Sequence, residues 1–120
     1  MPRSAGHGVT ETVFSAERAM KHIEVIAQSP HPLGSRQQAT VRQYLLDTLT
    51  ALGLQPEVQA FHTVQNVMAR IPGTTSSDAI VLMAHYDSVS VSPGAADNAS
   101  GTVVILETAR ALLNNPPLKN

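Results

Sequence analysis

A six-residue apolar run, Ala79-Ile80-Val81-Leu82-Met83-Ala84, limits the architectures open to this chain more than any other stretch. Aliphatic and β-branched residues bounded by polar loops read as a strand buried on both faces of a mostly parallel sheet. The run delivers His85-Tyr86-Asp87-Ser88, and Gly94-Ala95-Ala96-Asp97-Asn98-Ala99-Ser100-Gly101 follows where a helix is expected to open. In open α/β sheets, ligands gather beyond the carboxyl ends of the strands, so His85 stands where a site is expected.

In extended chain, residues two apart point the same way, which puts Asp87 beside His85. A carboxylate on one ring nitrogen fixes the tautomer and orientation of a metal-binding imidazole. Asp97 lies ten residues beyond Asp87, after the Pro93-Gly94 turn signal, and can fold back to offer a hard oxygen ligand next to the imidazole. Mixed nitrogen and oxygen ligation in a chain without cysteine suits zinc, manganese or cobalt in a hydrolytic role. The competing reading is structural: Asp97, Asn98 and Ser100 all have side chains able to cap a helix. One histidine and one aspartate do not hold such a metal alone.

These residues resemble the di-zinc exopeptidases of the leucyl aminopeptidase and aminopeptidase Y type, whose core contains His-x-Asp-Ser and, later, Gly-Ala-x-Asp-Asn-x-Ser-Gly. The resemblance extends to Pro30-His31-Pro32-Leu33-Gly34-Ser35, to Asn66-Val67-Met68-Ala69-Arg70-Ile71-Pro72-Gly73 and to the helix containing Leu106-Glu107-Thr108-Ala109-Arg110-Ala111-Leu112. It implies that His85 binds one zinc, that Asp97 bridges two zincs and that Asp87 orients His85. It also implies a three-layer α/β/α sandwich with a mostly parallel mixed sheet, represented here by its amino-terminal portion. Family members continue into a glutamate pair, an aspartate and a histidine that have no counterpart before Asn120. The expectation is therefore a fragment of a zinc aminopeptidase that is inactive by itself. Peptides would be the substrates, and the parent would be exported or membrane-attached. A single-zinc transferase resembling glutaminyl cyclases, and a non-catalytic domain of peptidase fold, are the alternatives.

Composition narrows the classes further. A net charge of −1 supplies no electrostatic case for nucleic acid or anionic membrane, and 3% aromatic residues leave no large aromatic binding face. The apolar stretches fall short of membrane-spanning length, and Met1 to Gly8 lacks the apolar core of a signal peptide.

Along the chain, residues 1–13 are expected to form a disordered tail and 14–120 a domain portion. Ser15 caps an amphipathic helix from about Ala16 to Gln28, which Ser29-Pro30 stops. A second helix is expected from about Ser35 to Leu52, ended by Gly53. Val58 to Val64 and Val67 to Ile71 read as strands joined at Gln65-Asn66, and a third helix is expected from about Ala99 to Asn114. His31 reads as structural, His62, His22 and His7 as poor ligand candidates, Tyr86 as a packed ring, and Ser88 as no nucleophile. The apolar 79–84 strand, if left with an open edge, predicts that the chain either covers that edge with its own tail or dimerises through it.

Overall fold

Two serines start the first two helices. In the computed structural model, which describes residues 11–119, Ser15 is extended (φ −118°, ψ 117°) and its side chain accepts from the Arg18 N–H, opening α1 (Ala16–Ile26). Ser35 opens α2 (Arg36–Ala51) in the same way, its Oγ accepting from the Gln38 N–H at 3.0 Å. Gln38 answers by accepting the Gly34 N–H at 2.8 Å, a reciprocal cap displaced by one residue. Beyond α2, Gly53 takes φ +88°, the left-handed conformation that ends a helix at low steric cost.

The chain then forms an antiparallel hairpin, β1 (Glu57–Phe61) and β2 (Val64–Met68), with Val58 opposite Val67 and Phe61 opposite Val64. The expected connection at Gln65-Asn66 is corrected to His62-Thr63, with His62 at φ +53°. This register points Gln65 and Val67 toward the protein, where Val67 packs on the core, and leaves Val64, Asn66 and Met68 outside. A slip of one residue would reverse those faces.

The expected strand over 79–84 is not hydrogen-bonded into a ladder: among the described residues the sheet has two strands, β1 and β2. A strand exists only through neighbours, and none lies beside this run among those residues. Its apolar side chains consequently face outward, with Ile80 73%, Val81 72% and Met83 87% exposed. Among the described residues the chain is α/β in content, with three α-helices and the hairpin.

The core is helical. Ala19 and Ile26 of α1, Val41, Leu45 and Leu49 of α2, and Val103 and Leu106 of α3 (Ser100–Leu113) form one buried cluster that also takes in Ala99. Within it sits a charged clasp. Glu107 is fully buried, and its carboxylate accepts three N–H bonds of 2.8–3.0 Å from Arg110 and one of 2.9 Å from the Ser15 backbone. Arg110 also donates to the carbonyls of Glu11 and Val13, and Asn115 to that of Thr12, which docks the segment before α1 onto α3. Burial alone pushes the Glu107 carboxyl upward, but the Arg110 hydrogen bonds and the charges of Arg110 and Arg18 outweigh it and hold the group below the ordinary carboxylate value. Positions 1–10 of the expected tail lie outside the described residues.

Candidate metal centre

Between β2 and α3 the backbone follows no regular element, so its conformation is set by anchors. Thr102, near the start of α3, donates from its Oγ1 to the His85 carbonyl at 3.1 Å. The Tyr86 hydroxyl donates to the Gln65 carbonyl, and its ring packs against the core. Ser88 is held most firmly: its N–H donates to the His31 carbonyl at 3.1 Å, and its Oγ accepts the His31 N–H at 2.7 Å while donating to the Val89 carbonyl at 2.8 Å. Both Ser88 and His31 are buried. His31 accordingly serves structurally, its ring donating to the Ser29 carbonyl at 3.0 Å.

The turn before α3 brings the second acidic residue in. Ala95 to Ala99 form one wide, irregular turn in which Asp97 (φ −116°, ψ 90°) and Asn98 (φ −133°, ψ 35°) leave helical geometry, with a cis peptide between them. Buried Ala99 anchors the far side, its N–H donating to the Gly94 carbonyl at 3.0 Å. Gly94 takes φ +70°, and a Cβ there would lie 2.8 Å from both the Asp97 carbonyl oxygen and the Ser88 Cβ. The glycine is thus required twice, for its dihedral and for close approach.

Three side chains follow from these anchors. His85 Nδ1 lies 3.0 Å from Asp87 Oδ1, and His85 Nε2 lies 3.1 Å from Asp97 Oδ1. The capping alternative falls to the neighbouring residue, since Asn98 Oδ1 accepts the Gly101 N–H at 3.2 Å. Asp97 is therefore free of that duty and faces the imidazole. The expected pairing of His85 with Asp87 is present too, without the strand that was expected to produce it.

The protonation count of this arrangement is informative. Ionised carboxylates only accept, and a neutral imidazole has a single N–H, so it satisfies one aspartate and opposes a lone pair to the other. With the Nδ1 proton given to Asp87, the Nε2 lone pair faces the Asp97 carboxylate, two metal-donor atoms on one side of the ring within 3.1 Å of each other. Tetrahedral zinc, with bonds of about 2.0–2.2 Å, separates its ligand atoms by roughly 3.3–3.5 Å, close to the observed spacing. The donor set therefore fits zinc as a partial site. Asp87 and Asp97 meet opposite edges of the ring, so the three residues do not converge on one point. Among the described residues, no group of three or more histidine, cysteine, aspartate or glutamate side chains is arranged to hold a metal.

Comparison with known proteins gives the context. Residues 66–120 match the sequence model of Peptidase family M28. The chain is 27% identical over 130 aligned residues to a vacuolar membrane protease of Coprinopsis cinerea, an alignment covering 85% of this chain and 13% of that protein. It is 38% identical over 71 residues to the probable lipoprotein aminopeptidase LpqL of Mycobacterium tuberculosis, covering 59% of this chain and 14% of the relative. It is also 59% identical over 39 residues to aminopeptidase YwaD of Bacillus subtilis, 32% of this chain and 9% of the relative. The chain thus spans a small part of each relative's length. The sequence bearing His85, Asp87 and Asp97 lies inside the matched region, so the part of the chain that holds the site is the part similar to Peptidase family M28.

Proposed function

We propose that this chain is part of a zinc-dependent aminopeptidase that removes amino-terminal residues from peptides. The observation that carries the reading is the single imidazole set between two carboxylates, with Asp87 on Nδ1 and Asp97 on Nε2. In it His85 and Asp97 hold metal, and Asp87 orients the ring and raises its basicity. Bound zinc would supply Lewis acidity toward a carbonyl and acidity to a water molecule. Asp97, whose side chain is 80% exposed, keeps an open flank on which a second cation can be shared.

Two ligands make a weak site, so the 120 residues by themselves bind zinc poorly and do not turn over peptide. In the fuller three-layer sandwich, the 79–84 run becomes a paired parallel strand, which accounts for apolar side chains that are otherwise exposed. Left unpaired, that run favours self-association.

The test is hydrolysis of aminoacyl chromogenic amides by a longer polypeptide carrying this sequence. Activity abolished by a chelator, restored by zinc and lost in Asp97→Ala is expected. Activity that survives both chelation and Asp97→Ala overturns the reading.

A further inference from the structure

Ser88 lies outside the ligand pair yet touches both stretches that carry it. It follows His85 by three residues, and two hydrogen bonds join it to the backbone of His31, fifty-seven residues earlier. On its other side, its Cβ lies so close to Gly94 that a Cβ on the glycine would stand 2.8 Å away. The same added atom would meet the Asp97 carbonyl at the same distance, so the Asp97 turn and the Ser88 loop close on one point. Ser88 is 6% exposed and His31 1%, so water cannot take over these bonds without opening the structure. The ligand side chains themselves are exposed, 53% for His85 and 80% for Asp97.

We propose that Ser88 is a positioning residue for the His85–Asp97 pair, acting through the His31 loop on one side and Gly94 on the other. Its hydroxyl completes a clasp that sets the separation of the two ligand-bearing stretches before any cation arrives. This inference rests on the metal-binding reading above and adds to it a residue that contacts neither metal nor substrate.

The test is a titration of the 120-residue chain with Zn2+ alone, followed through the His85 ring resonances in NMR spectra, with amide protection of α3 read on the same samples. Asp97→Ala is the control: it abolishes the His85 response if the metal reading is right, and an unchanged response in that variant sinks the metal reading itself. With the control satisfied, Ser88→Ala is expected to weaken the zinc response about tenfold, the lower end of what loss of an outer support costs a metal site, while Val103 and Leu106 amides stay protected. A wild-type zinc response in Ser88→Ala overturns the positioning role. So does a variant whose α3 amides lose protection, because Ser88 would then serve the fold as a whole and not the pair.

Discussion

Replacing Arg110 by methionine keeps most of the stem volume and leaves Glu107 fully buried with one of its four hydrogen bonds, that from the Ser15 N–H. The carboxylate then either stays charged in a place water does not reach, with Arg18 as its remaining counter-charge, or takes up a proton. Protonation caps the penalty: at pH 7, holding a carboxyl with an ordinary value near 4.3 in its neutral form costs about 3–4 kcal/mol, and at pH 5 about 1 kcal/mol. The carbonyls of Glu11 and Val13 that Arg110 releases lie on exposed residues and can turn to water, so they add little. Arg110→Met is therefore expected to lose about 3–4 kcal/mol at pH 7, a large fraction of the stability of a small domain. The pH dependence has a definite sign. In the wild type the depressed Glu107 value contributes stability above the unfolded carboxyl's range, which is lost as pH falls through it. In the variant the folded state binds the extra proton, so its stability falls as pH rises. The two proteins approach each other on acidification. Urea unfolding followed by far-UV circular dichroism at pH 7 and pH 5 measures both gaps, and Glu107→Met with Arg110→Met is expected to recover most of the loss. A gap below about 1 kcal/mol at pH 7, or one that does not shrink at pH 5, would show that Arg110 does not compensate the buried charge of Glu107.

Two further outcomes are expected. Gly94→Ala places a Cβ at φ +70° and 2.8 Å from two heavy atoms, and is expected to cost about 2 kcal/mol or more in the same unfolding assay; a loss under about 0.5 kcal/mol would show that the turn relaxes freely. The 120-residue chain is expected to self-associate with rising concentration in sedimentation velocity runs, and Val81→Lys to reduce that association; a monomer at every concentration contradicts the role given to the exposed 79–84 run.

Local signals in the sequence were legible and long-range ones were not. Ser15, Ser35 and Gly53 marked α1 and α2 to within a few residues because capping is decided by atoms close in the chain. Asn66 looked like a turn residue, yet the hairpin turns at His62, since the inward packing of Val67 selects the register and His62 accepts the left-handed dihedral. The 79–84 run carried a valid strand composition, but composition does not supply partners. At the site, the spacing of His85, Asp87 and Asp97 anticipated that the imidazole meets both carboxylates. The supports did not show: Ser88 meets His31 across fifty-seven residues, and Thr102 reaches back to the His85 carbonyl from α3. The Glu107–Arg110 clasp had one visible trace, a charged pair three apart on a helix whose other inward positions, Thr102 apart, are apolar.

Anomalous scattering at the zinc edge, from crystals grown with Zn2+, locates the metal relative to His85 and Asp97. A peak within about 2.2 Å of both His85 Nε2 and an Asp97 carboxylate oxygen, with Asp87 retained on Nδ1, is the predicted result. Zinc bound through Nδ1, or zinc found only at other residues while His85 and Asp97 turn apart, contradicts it.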